Sequence, residues 1–71
     1  MLAAPPPKFK PGMLVVGVPY ASEHMQYAMK GIILRESQRS NWWGDTYTRW
    51  YEVLTETGKI VDELEKYLDA I

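Results

Sequence analysis

Apolar residues in this chain recur in short runs separated by proline, glycine and polar clusters, the spacing of strands rather than of helices. Met13-Leu14-Val15-Val16 is apolar at every position. A strand from Met13 to Val18 is therefore expected to be partly covered on both faces, by the core on one and by an arm or loop on the other, with Pro19 ending its ladder. Gly31-Ile32-Ile33-Leu34-Arg35 predicts a second strand, with Ile32 and Leu34 directed inward and Ile33 and Arg35 outward. Between the two, Tyr20 to Lys30 reads as a long loop holding one helical turn, begun by Ser22-Glu23-His24 and sharing Met25, Ala28 and Met29 on one face.

From about Tyr47 to Thr55 the residues alternate, Arg49, Tyr51, Val53 and Thr55 on one face and Trp50, Glu52 and Leu54 on the other. Tyr51 and Val53 are taken as inward, because the alternative buries Glu52 without a partner. Ser37 to Asp45 reads as a polar hairpin loop interrupted by Trp42 and Trp43. Glu56-Thr57-Gly58 suits a tight turn with glycine in the left-handed region, returning through Lys59-Ile60-Val61. Asp62, with Glu65 three residues later, predicts a capped helical turn through Tyr67 with Leu64 and Leu68 on its inner side, and Ala70-Ile71 a short closing strand. At the other end, Lys10-Pro11-Gly12 is a turn, and Ala3-Ala4-Pro5-Pro6-Pro7 forms a polyproline II stretch within a flexible arm over residues 1–8. The remaining residues, 9–71, form one domain, a mainly β barrel of about five strands with one short helical turn near the C-terminus.

Length tightens this picture. At 71 residues without a cysteine, the fold must be held by packing alone, and nine aromatic residues have to carry much of it. The missing cysteines suit a cytoplasmic protein. Gly12 to Ala21, the longest mostly apolar run without charge, is shorter than the roughly 20 residues of a membrane-spanning helix, and Met1-Leu2-Ala3-Ala4 is too short for a signal sequence. A soluble chain with no membrane partner is expected. The net charge of -1 conceals an asymmetry. Lys8, Lys10, Lys30, Arg35, Arg39 and Arg49 outnumber Glu23, Glu36 and Asp45 in residues 1–50, whereas Glu52, Glu56, Asp62, Glu63, Glu65 and Asp69 outnumber Lys59 and Lys66 beyond them. One face can attract an anion while another, solvated and acidic, repels it.

The order Phe9-x-Pro11-Gly12-x-Leu14-Val15, Gly31-Ile32-Ile33-Leu34, Trp50-Tyr51-x-Val53-Leu54, then Gly58-Lys59 with a late Leu64 or Leu68, resembles the SH3-like small barrels found in many short phage and bacterial proteins. The resemblance covers residues 9–71. Glu36 sits one residue later than in the common pattern of that group, and Thr55 replaces its usual aromatic residue. The resemblance implies a small barrel, a phage setting with a host-cytoplasmic location, and no particular chemistry.

Chemistry is accordingly sparse. His24 is the only histidine and there is no cysteine to join it, so no metal site is expected. Ser22, Ser37 and Ser40 lack a base, the carboxylates lack a cleft to shift their pKa values, and no phosphate-binding glycine pattern occurs. No enzymatic activity and no cofactor are expected. What remains is Trp42, Trp43, Tyr47 and Trp50 with Arg39 and Arg49 interleaved, read as a partner-binding set. Trp42 and Trp43 are adjacent and in a strand cannot face the same way, so one is expected at the surface. The favoured reading is a protein interaction module. The alternatives are a barrel binding single-stranded nucleic acid through these rings with Arg35, Arg39, Arg49, Lys8 and Lys10, and a structural subunit that assembles with itself; a monomer or a weak homo-oligomer is expected. The proline-rich arm could also dock on aromatic rings, its own or a neighbour's.

Overall fold

Tyr51 and Val53 are the centre around which the chain organises: both are fully buried, with Val15, Ile33, Leu68 and Phe9 packed about them. The computed structural model describes residues 3–17 and 29–71. Among these residues seven strands run in the order β1 (Leu14–Gly17), β2 (Met29–Glu36), β3 (Asn41–Trp43), β4 (Thr46–Thr48), β5 (Trp50–Thr55), β6 (Ile60–Leu64) and β7 (Leu68–Ala70), with one 3-10 turn, Glu65–Tyr67, before the last. Five of them form an antiparallel sheet in the order β6-β5-β2-β1-β7, and β3 and β4 form a separate hairpin.

The alternation in β5 places Tyr51 and Val53 inward and Trp50, Glu52 and Leu54 outward, as the cost of burying Glu52 requires. In β2 the expected faces of Ile32 and Ile33 are exchanged, while Arg35 is outward as expected. Ile33 is buried against Val53, its partner in register, while Ile32 is exposed and stands opposite Leu14 on one side and Leu54 on the other. The cause is Gly31, which shares the inner face with Ile33: a Cβ there would lie 2.5 Å from Val53 Cγ1 and 2.7 Å from the Leu54 carbonyl oxygen. Only glycine lets β2 and β5 approach this closely. A register shift between Ile33 and Arg35 then brings Arg35 opposite Glu52, where the two side chains pair at 2.8 Å.

Other boundaries also move. Ser37 to Asp45 is not a loop throughout, since Asn41–Trp43 pairs with Thr46–Thr48 across a turn in which Gly44 takes φ 62°. The strand expected from Tyr47 to Thr55 is interrupted at Arg49, which ends β4 before β5 begins. Asp62 lies inside β6 and caps nothing; the 3-10 turn begins at Glu65 without a side-chain cap. Of the two leucines assigned to its inner side, Leu68 is fully buried and Leu64 faces outward with Trp50. Nor are the late carboxylates one solvated face, because Glu63 is buried opposite Tyr51. The Lys10-Pro11-Gly12 turn has Gly12 at φ 90° with Met13 N–H donating to the Lys10 carbonyl, and Gly58 takes φ 83° in the later hairpin. The expected loop and helical turn over Tyr20 to Lys30 lie, up to Ala28, outside the described residues; Met29 and Lys30 open β2.

Candidate interaction site

The β3–β4 hairpin follows β2 after a four-residue turn whose own bonds fix its direction. Ser40 N–H donates to the Ser37 carbonyl, Arg39 N–H to Ser37 Oγ, and Ser37 N–H to the Trp50 carbonyl at 2.8 Å. Ser40 Oγ accepts from Trp50 N–H at 2.9 Å and donates to the Trp50 carbonyl at 3.2 Å. The hairpin base is thereby tied to the start of β5. Register does the rest: Trp42 pairs with Tyr47, their ring centroids 5.1 Å apart, and Trp43 pairs with Thr46. Adjacent residues on a strand point to opposite faces, so Trp42 covers Tyr47 while Trp43 is 70% exposed beside the turn. Arg39 lays its guanidinium 4.0 Å from the half-buried Trp50 ring, which fixes a flat cationic surface on the outside of β5.

Arg49 belongs to a different environment. It is 7% exposed, its Nε donating to Glu36 Oε1 at 2.9 Å and its Nη2 to the Pro5 carbonyl at 2.7 Å. Its Nη1 lies 3.6 Å from Glu65 Oε2 with no closer acceptor, and its guanidinium stands 5.0 Å from the Tyr47 ring. Glu36 Oε2 accepts from the Tyr47 hydroxyl at 2.5 Å. Glu65 Oε2 accepts from the Tyr51 hydroxyl at 2.6 Å and from Lys8 N–H at 3.1 Å, while Tyr51 Oη accepts from Phe9 N–H. One buried cation thus links the proline segment, the end of β2, the hairpin and the 3-10 turn.

The protonation equilibria follow this wiring. Burial works to raise the Glu36 pKa, but the hydrogen bonds from Tyr47 and Arg49 and the Arg49 charge outweigh it, and the carboxyl titrates below its ordinary value of 4.5. Tyr47 is raised by its bond to Glu36, and Tyr51 is raised by burial and then by its bond to Glu65. For Arg49, desolvation is overcome by Glu36, and the guanidinium holds its proton more firmly than usual.

The six residues expected to form one partner-binding set therefore divide. Trp43, Arg39 and the exposed part of Trp50 reach the surface, Trp42 and Tyr47 support the hairpin from within, and Arg49 is enclosed by carboxylates and the Pro5 carbonyl. Of the cations invoked for nucleic acid, Arg35 is paired with Glu52, Arg49 with Glu36, and Lys8 sits 5.4 Å over the Phe9 ring. His24 lies outside the described residues. Among the described residues no group of three or more histidine and carboxylate side chains could hold a metal, and no helix is long and apolar enough to cross a membrane. The sequence reading missed one feature, a row of apolar side chains across the outer face of the large sheet. Its signal was present in the apolar residues at both faces of β1 and β2. No family model, curated protein or solved structure matches the chain.

Proposed function

We propose that this chain is a small non-enzymatic interaction module, an SH3-like barrel that binds a partner protein through the β3–β4 hairpin. The barrel reading is supported by the order β6-β5-β2-β1-β7, with a 3-10 turn just before the last strand. It is also supported by β2, which carries a register shift and pairs with β1 over Met29–Ile32 and with β5 over Gly31–Glu36. The observation that carries the function is Trp43, an exposed indole held at the tip of a hairpin whose base and flank are fixed by Ser40, Trp42 and Tyr47. A large flat ring on a preorganised support loses little conformational freedom on binding, which is the property of interface anchors. Arg39, stacked on Trp50, supplies a neighbouring cation for an acidic or carbonyl-rich contact. A protein partner is favoured over a single strand of nucleic acid because Arg35 and Arg49 are already committed to carboxylates.

A random-peptide display library selected on the wild-type protein and counter-selected on Trp43→Ala tests this. A recurrent peptide whose amide NMR shifts centre on residues 39–50, and whose binding falls at least about tenfold in Trp43→Ala, is the expected result. Selection of no peptide, or of peptides that bind the variant equally well, overturns it. Titration with mixed-sequence single-stranded DNA and RNA at low and at physiological salt is expected to leave residues 35–50 unshifted at the higher salt. Shifts that persist there would favour nucleic acid instead.

A further inference from the structure

Leu14, Ile32, Leu54 and Ile60 stand directly opposite one another across β1, β2, β5 and β6 on the outer face of the large sheet, and Ile71, just past β7, lies beside Leu14. Leu14 pairs with Ile32, Ile32 with Leu54, and Leu54 with Ile60, while Ile71 N–H donates to the Leu14 carbonyl. Four of the five are among the most exposed large apolar residues: Leu14 at 55%, Ile32 at 39%, Ile60 at 61% and Ile71 at 68%. A groove of about 510 Å³ runs along four of them, Ile71, Leu14, Ile32 and Leu54, with Lys30 and Glu56 on its margin. A contiguous apolar stripe on a small soluble domain marks an interaction surface.

Its flanking charges identify the occupant. Along the strands, Lys30 on β2 and Glu56 just beyond β5 lie on one side of the row, and Arg35 on β2 and Glu52 on β5 lie on the other. Cations thus sit on β2 and anions on its neighbour β5, on both sides. A two-fold axis parallel to the strands and passing between β2 and β5 lays β2 of one copy over β5 of the second, and β1 over β6. Under that operation Lys30 meets the second copy's Glu56, and the internal Arg35–Glu52 pair lies head to tail on the same pair of the second copy, each charge over its opposite. In the row itself, Ile32 meets the second copy's Leu54 and Leu14 meets its Ile60. The surface is self-complementary in both polarity and charge, the condition for an isologous interface.

We infer that this face binds a second copy of the chain, two sheets packing face to face about that axis. The inference goes beyond the hairpin reading and does not depend on Trp43, which is outside the row. The contact involves fewer residues than the roughly 20 to 30 a side of a standard interface, so the dimer is weak and forms as concentration rises from about 10 µM to about 1 mM.

Sedimentation equilibrium of the wild-type chain is expected to give a mass rising from 8.2 kDa towards twice that value. Because the chain has no cysteine, single introduced thiols report the geometry without background. Leu14→Cys mixed with Ile60→Cys and oxidised with copper phenanthroline is expected to give mainly the mixed disulfide. Within one copy, and between like positions of two copies, these sites are separated by three strand spacings, about 14 Å, too far to bridge. Lys30→Glu alone is expected to weaken association about tenfold or more, and Lys30→Glu with Glu56→Lys to restore it. A mass of 8.2 kDa at every concentration overturns the inference, as do like-position disulfides that form as fast as the mixed one, or a charge swap that fails to rescue.

Discussion

Replacing Arg49 with methionine keeps the length of the aliphatic stem while removing a buried cation and its donors. In the folded protein those donors reach Glu36 at 2.9 Å and the Pro5 carbonyl at 2.7 Å, with Glu65 Oε2 at 3.6 Å. Hydrogen bonds involving a charged group contribute about 1.5–3 kcal/mol each when shielded from water. Glu36 is 39% and Glu65 25% exposed at the side chain, so both carboxylates can be rehydrated once the cation is gone, and the low end of the range applies. Two such bonds at that discount amount to about 2–3 kcal/mol. A domain of this length has a total stability of about 4–10 kcal/mol, so Arg49→Met is expected to remove a large fraction of it. In urea, with a slope near 1–1.5 kcal/mol per molar for so small a protein, the midpoint should fall by about 2 M. Amide exchange at Lys8 and Phe9 should accelerate further, because their acceptors, Glu65 and Tyr51, lose the charge that positions them. A midpoint within about 0.3 M of wild type, at unchanged slope, would refute the reasoning and return Arg49 to the set of residues available to a partner.

Gly31→Ala places a methyl group against Val53 and the Leu54 carbonyl, and because a backbone oxygen in a central strand cannot move aside cheaply, a loss of about 3 kcal/mol in chemical denaturation is expected. Trp43→Ala, in contrast, removes an exposed ring and should change stability by no more than about 0.5 kcal/mol. The folded pKa of Glu36 lies below its unfolded value, so its contribution is complete above pH 4.5 and is lost as the pH falls through the lower folded value; a Glu36→Gln variant should show a flatter stability profile below pH 4.5. Tyr51 has the opposite sign, its contribution being complete below pH 10.0 and lost as the pH rises through the higher folded value, which a fluorescence-monitored alkaline titration of Tyr51→Phe against wild type would register.

The inward face of β5 was legible because one alternative buried a carboxylate, and polarity alone could decide it. In β2 the polar marker misled, because Arg35 does face outward but the register shift after Ile33 breaks the alternation that linked it to Ile33. Ile32, Ile33 and Leu34 are equally apolar, and the side chain that settles the face is the one Gly31 lacks. A related ambiguity concealed the outer row: the continuous apolar run of β1 implied two covered faces, and Ile32 of β2 was assigned inward, whereas in the described structure the outer face is open at Leu14 and Ile32. Turns with glycine in the left-handed region were readable at Gly12 and Gly58, since their neighbours carry turn chemistry. The hairpin through Gly44 was obscured by two adjacent tryptophans in a polar stretch. Arg49 was grouped with the surface cations because its partners, Pro5, Glu36 and Glu65, are far apart in sequence and only the fold gathers them.

The large sheet joins its first and last strands: β1 and β7 pair through Val15 and Ala70, and Lys8 is bonded to Glu65. The Lys8–Glu65 bond closes a span of 57 residues, and β1 keeps one edge unpaired until β7 reaches it. The β5–β6 hairpin, closed by the short turn at Gly58, requires no such delay. Folding should therefore begin at the β5–β6 hairpin and end with the docking of β7 on β1, with a rate governed by closure of the long loop between those two strands and with little sensitivity to the strength of the Gly58 turn.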